Sequence, residues 1–193
     1  MTTGTMTPDE RSRALRKEAD EVLGFIGLRD LCRPIGDLLP TGSYFMDLMM
    51  YPDIDLYLPP AAPERLLGVA AELSKLECVR RINFMRGGPA KLKDGLYLKP
   101  VVEHGNWERP WKIDIWSLPP SVAAAKQAEL EDLKTRMTAR HRAVILETKF
   151  RLLTDEGRTP MFSGIYIYKA VIDHGLERLE EIATSLRANG IDV

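Results

Sequence analysis

The chain has two cysteines in 193 residues, Cys32 and Cys78, and their separation fits neither a disulfide framework nor a zinc site. Its three histidines, His104, His141 and His174, lack metal-ligand spacing with the cysteines or with one another. Charge of neither sign is in excess. Lys plus Arg is 27 and Asp plus Glu is 28, a net charge of −1, which argues against bulk electrostatic attachment to nucleic acid but not against a local basic patch. No apolar run approaches the length of a membrane span. Met1 to Met6 has no basic stretch leading into an apolar core, so no signal peptide is expected and a reducing cytoplasm is. Repeats and low-complexity segments are also missing. What remains is ordinary hydrophobic content, 45%, enough for one domain or a compact domain with a helical appendage.

Local signals divide the chain in two. Thr7-Pro8-Asp9-Glu10 is a capping box with Pro at the first helical position, and Leu15, Ala19, Val22, Leu23 and Ile26 then predict a helix over about 8–26. Gly27 and Pro34 break it. A short strand is expected within Ile35 to Pro40 and a short helix over 44–50. Asp53 to Leu58 reads as a strand ended by Pro59-Pro60, and Pro63 opens a helix carrying Leu66, Leu67, Ala70, Leu73 and Leu76. Val79 to Met85, Leu96 to Val102 and Trp111 to Trp116 read as further strands. Turns are expected at Arg86-Gly87-Gly88-Pro89 and Asp94-Gly95. After Pro119-Pro120 the pattern is helical: Ser121 caps a polar helix over 122–136, and Val144, Ile145, Phe150 and Leu153 mark the next. Ser163 caps a third, and Leu176 to Leu186 forms a last one before Gly190. The layout is an α/β half, 1–118, followed by a helical half, 119–193.

The chemistry gathers in one stretch: Gly42-Ser43, a nine-residue spacer, then Asp53-Ile54-Asp55-Leu56-Tyr57-Leu58. Side chains alternate along a strand, so Asp53, Asp55 and Tyr57 share one face and Ile54, Leu56 and Leu58 face a core. Thirteen Asp in 193 residues make about one Asp-x-Asp pair expected by chance, so the pair gains meaning from its frame. Lys112-Ile113-Asp114-Ile115-Trp116 repeats that frame, with Asp114 opposite to Ile113 and Ile115. If the two strands are neighbours, three carboxylates converge on one exposed face. Their mutual repulsion is relieved by a divalent cation, and Mg²⁺ is commonly held by one or two carboxylates together with substrate phosphates.

Gly42-Ser43, Asp53-x-Asp55 and the apolar-flanked Asp114 resemble the signature of the nucleotidyltransferase superfamily related to DNA polymerase β. The likeness covers about residues 35–116, with Tyr44-Phe45-Met46 and Pro52 departing from the commoner pattern. It implies a mixed sheet flanked by helices, and a nucleotidyl group (AMP from ATP favoured) passed to an acceptor. It also implies two Mg²⁺, with Mn²⁺ as the alternative ion, on Asp53, Asp55 and Asp114. Gly42 and Ser43 would contact the triphosphate. The helical half would close over it, bringing Lys149, Tyr168 and Lys169.

Other residues carry paired readings. Lys112 shares the face of Asp114 and either balances the carboxylates, reaches a phosphate or forms a plain ion pair. Asp47 reads as a capping or solvent-facing residue. Glu103 is a general base for the acceptor or an exposed loop acid. Trp107, Trp111 and Trp116 offer stacking surfaces, with Trp111 better suited to the core. Arg80, Arg81, Arg86, Lys91 and Lys93 form a solvated hairpin or an RNA-binding edge. The acidic, aromatic loop of Glu103, Trp107 and Glu108, with the neutral net charge, favours a small hydroxyl-bearing acceptor over nucleic acid. The alternatives are a tRNA- or protein-modifying enzyme of toxin–antitoxin type and a catalytically silent nucleotide-binding module. No membrane partner is expected, and nothing sets the oligomeric state.

Overall fold

The computed structural model describes residues 6–87 and 95–193. The expected turns at Gly88-Pro89 and Asp94, and the cations Lys91 and Lys93, lie outside the described residues.

Thr7 closes the capping box ahead of α1 (Pro8–Phe25): its hydroxyl accepts from the Glu10 amide, and the Glu10 carboxylate accepts from the Thr7 amide at 2.9 Å. Leu15, Ala19, Val22 and Leu23 line the buried side of α1. Gly27, in a left-handed conformation, turns the chain into α2 (Leu28–Cys32). Five residues give too little periodicity for that helix to be read from sequence. β1 (Leu39–Thr41) begins later than expected, and α3 (Gly42–Met46) begins two residues earlier than the expected 44–50. The reason lies in burial after α3. Met46, Leu48 and Met50 enter one apolar cluster and Met49 the other, an alternation that suits extended chain better than a helix.

There follow β2 (Asp53–Leu58), α4 (Pro63–Leu73), β3 (Val79–Arg86), β4 (Leu96–Val102), β5 (Trp111–Ser117), α5 (Pro120–Arg136), α6 (Ala139–Arg151), α7 (Ser163–Ile172) and α8 (Leu179–Ala188). Two expected caps are corrected. Pro119 occupies the cap position of α5, so Ser121 lies inside the helix. Phe162, in a left-handed conformation, precedes α7, so Ser163 is its first residue and is fully buried.

The strands form one mixed sheet in the order β1-β2-β5-β4-β3, the fold class expected from the sequence. β2 and β5 run parallel with Asp55 opposite Asp114, and every other pairing is antiparallel. The chain therefore leaves β2, crosses through α4, β3 and β4, and returns beside it. On the back of the sheet Ile54, Leu56, Leu98, Ile113 and Ile115 pack with α1, α2 and α4. A second cluster joins α5–α8 to Met46, Leu48 and Met50, so the helical half rests on the segment leading into β2. Arg11 on α1 fixes that segment by donating to the Met50 carbonyl at 2.8 Å. No helix of the described residues is long and apolar enough to cross a membrane.

Candidate active site

The parallel pairing of β2 and β5 sets the site. One carboxylate oxygen from each of Asp53, Asp55 and Asp114 lies within 4.8 Å of the others. Gly42 makes this possible. Its φ is +58°, and a Cβ there would stand 2.3 Å from Asp55 Oδ2, so the first position of α3 accepts only glycine if Asp55 is to stay in place. On the other side the Tyr97 hydroxyl donates to Asp114 Oδ1 at 2.6 Å and fixes that carboxylate. Lys112 Nζ is 3.0 Å from Asp53 Oδ1 and 3.6 Å from Asp114 Oδ2. The closer contact is an ion pair without hydrogen-bond alignment, and Asp53 Oδ1 is buried with no hydrogen bond among the described residues.

The face is not the exposed one expected from sequence. The Asp53 and Asp114 side chains are only 13% and 14% exposed. Burial pushes the Asp53 carboxyl up to about 6; Lys112 opposes this and Asp114 reinforces it. Asp55 is raised well above the usual carboxylate range by burial and then by Asp53 and Asp114. Burial works to lower the Lys112 ammonium, but Asp53 and Asp114 outweigh it and raise it. Three desolvated carboxylates face one lysine. Hard oxygen donors, a buried Asp53 Oδ1 met only by the Lys112 ammonium, and negative charge in excess of that one lysine fit a divalent cation.

A carboxyl whose folded pKa is raised costs nothing while protonated in both states. Its cost grows as pH climbs from the ordinary carboxylate range to about 6, and then stays. Added Mg²⁺ or Mn²⁺ should therefore raise the melting temperature more at pH 7.5 than at pH 5. Scanning fluorimetry at both pH values checks this, and an equal shift at both would contradict it.

The remaining candidates scatter. Ser43 sits in the first turn of α3, half-buried, and its hydroxyl makes no hydrogen bond among the described residues. Lys149 is 2% exposed, donates to the Leu48 carbonyl and stands 3.5 Å from the Tyr168 hydroxyl. Burial lowers its ammonium to about 8, opposed by Asp53 and Asp55, so it sits under the cluster as a buried charge. Tyr168 is buried beside it, whereas Lys169 points to Glu129 on α5 at 2.5 Å. Lys149, Tyr168 and Lys169 thus do not form one surface. Asp47 ends α3 in the expected capping role and pairs with Arg142 at 3.3 Å. Trp111 is core, with its ring N–H donating to Glu18 at 2.9 Å. Glu103 is held by Arg80 at 2.5 Å on the β3 side of the sheet, away from β2. Glu108 is clamped by both terminal nitrogens of Arg11 at 2.9 and 2.8 Å, and Trp107 lies under the same guanidinium.

Three residues escaped the sequence reading. Tyr97 alternates onto the front of β4, but only the register shows that it meets Asp114. Tyr51 stands beside Asp53; burial and then Asp53 push its hydroxyl up to about 12. Its oxygen lies 3.3 Å from the Thr159 hydroxyl. Arg109 lies over the Tyr51 ring, with a buried Nε that finds no partner among the described residues. Neither Tyr51 nor Arg109 stands in a motif.

No family model matches the chain, and no curated protein matches it. Among solved structures, that of a cytoplasmic RNA terminal U-transferase is similar, with 21% sequence identity and a TM-score of 0.49, over 69% of this chain and 39% of that one. The present chain therefore spans well under half of that protein's length.

Proposed function

We propose that the chain is a metal-dependent nucleotidyltransferase that moves a nucleoside monophosphate, AMP from ATP by preference, onto an acceptor hydroxyl and releases pyrophosphate. The observation that carries this is the convergence of Asp53, Asp55 and Asp114 within 4.8 Å in a recessed site. Two Mg²⁺, or Mn²⁺, held there would supply acidification of the acceptor hydroxyl and neutralisation of the leaving pyrophosphate. Asp53, Asp55 and Asp114 would hold the ions, with Asp114, oriented by Tyr97, on the side of the acceptor. Lys112 balances the carboxylates in the metal-free protein and is the cation best placed to meet a phosphate oxygen once they are neutralised. Lys149 adds positive potential from beneath. The protein contributes position and electrostatics, with little covalent chemistry of its own.

Gly42 and Ser43 take the triphosphate in this reading. Ser43→Ala should weaken nucleotide binding by about 1.5–3 kcal/mol, the scale of one hydrogen bond to a charged group. Calorimetry with a non-hydrolysable triphosphate measures it; wild-type affinity in the variant would remove Ser43 from the site.

The acidic loop expected to favour a small hydroxyl-bearing acceptor is neutralised: Glu103 pairs with Arg80 and Glu108 with Arg11. The activity itself is tested by incubating the protein with each labelled nucleoside triphosphate and Mg²⁺, with and without cell lysate, and weighing what gains a nucleotidyl group. A catalytically silent module would give no adduct and no pyrophosphate under any of these conditions.

A further inference from the structure

The front of the sheet differs on the two sides of β5. On the β2 side α3 packs against the strand, and the Tyr57 hydroxyl is raised by burial first, then by Asp55 and by Glu129 of α5. On the β4 and β3 side the one helix of the described residues packed closely on the strands is α4, which lies on the back with the first apolar cluster. Among the described residues no helix packs closely on the front there: Tyr97 and Val101 are buried, Asn83, Lys99 and Trp116 are half-buried, and Arg81 and Met85 are exposed. The order of these residues follows from the register. Asn83 pairs with Lys99, Met85 with Tyr97, and Tyr97 with Trp116. Leu98 pairs with Ile115 and Val101 with Lys112, so Lys99 stands opposite Asp114, one strand away at about 5 Å. Arg81 and Met85 are exposed at the far edge, Met85 at 44%.

This face has one composition. Trp116 and Tyr97 are paired at a centroid distance of 4.1 Å, and Lys99 Nζ lies 5.6 Å above the Tyr97 ring. Arg81 and Lys99 make no ion pair among the described residues. Outside Asp114 the front of β3, β4 and β5 carries no carboxylate. Free cations beside an aromatic surface, ending at the carboxylate that serves the acceptor, complement a phosphate backbone carrying planar bases.

We infer that the front of β3–β4 is the acceptor track and that the acceptor is a single-stranded nucleic acid presenting its terminal hydroxyl to Asp114. This rests on the nucleotidyl-transfer reading of Asp114. Lys99 and Arg81 hold backbone phosphates, and Trp116 receives a base. A duplex keeps its bases stacked inside and cannot use that surface. The net charge of −1 is no obstacle, since two free cations beside the site act locally and give weak, salt-sensitive binding.

The test is fluorescence anisotropy of a 5′-labelled, mixed-sequence 15-nucleotide single-stranded RNA with the full chain, without nucleotide or metal. The wild type should bind at low salt and lose affinity steeply as salt rises. The Arg81→Glu, Lys99→Glu double variant should bind at least tenfold more weakly. Its salt slope should be shallower by about 1.4, two contacts at roughly 0.7 each on a single strand. A Lys17→Glu, Arg178→Glu variant, reversing charges on α1 and ahead of α8, controls for net charge and should bind as the wild type does. Quenching of tryptophan fluorescence by the RNA should be lost in Trp116→Ala. Equal binding by wild type and the Arg81, Lys99 variant, equal loss in the control, or no wild-type binding, as for a small-molecule or protein acceptor, would overturn the inference. Because neither nucleotide nor metal is present, such a failure leaves the nucleotidyl-transfer reading standing, and loss of that reading would show instead in metal-dependent triphosphate binding.

Discussion

Asn in place of Asp55 should leave a folded protein that has lost nucleotidyl transfer. Asn keeps the volume and removes a carboxyl that burial, Asp53 and Asp114 hold well above its ordinary range. No positive partner is orphaned, since Lys112 pairs with Asp53 and Asp114 rather than with Asp55. The metal-free variant should therefore melt no lower than the wild type at pH 8. Turnover with Mg²⁺ should fall at least a thousandfold, about 4 kcal/mol of transition-state stabilisation. Asp53→Asn should behave alike in turnover while freeing Lys112 of one partner. Thermal melting and pyrophosphate release check both halves. Retained turnover would remove Asp55 from the chemistry, and a collapse of the fold would mean that the carboxylates are structural.

Gly42→Ala should be nearly as damaging by a different route. The new Cβ meets Asp55 Oδ2 at 2.3 Å, on a backbone with φ of +58°. The left-handed conformation costs about 1–2 kcal/mol for a non-glycine residue, or roughly 2–8 °C in melting temperature for a chain of this size. The larger effect is on position. Asp55 must move, and a displacement of about 1 Å in a reacting constellation costs on the order of a hundredfold in rate. Gly42→Ala should thus lose stability, unlike Asp55→Asn, and lose turnover, like it. Wild-type turnover in a normally melting Gly42→Ala protein would show that the first position of α3 does not set the carboxylate.

The contrast between these variants marks what the sequence could and could not say. Alternation along Asp53–Leu58 and Lys112–Trp116 was legible because each strand has one face in the core, and a slip of one residue would expose Ile54 and Ile113. The cap at Thr7 was legible because all its parts lie within four residues. The three-carboxylate site needed one further fact, that β2 and β5 are neighbours, which only topology supplies. The remainder was hidden for the same reason. Arg11 reaches Glu108 across 97 positions, Lys149 reaches the Leu48 carbonyl across 101, and Tyr97 meets Asp114 across 17. No local period announces such pairs. The caps at Ser121 and Ser163 were misplaced because Pro119 and a left-handed Phe162 take the position first. The short helix after β1 was misplaced because burial of alternate residues from Met46 to Met50 extends the chain where propensity allows a helix.

Asp53, Asp55 and Asp114 should bind a nucleoside triphosphate through divalent metal. Calorimetric titration of the wild type with a non-hydrolysable ATP analogue, in Mn²⁺ and again in excess chelator, addresses it most directly. The account predicts saturable binding in Mn²⁺, none in chelator, and none in Asp55→Asn under either condition. Binding that is indifferent to the metal, or equal in Asp55→Asn and wild type, would contradict it.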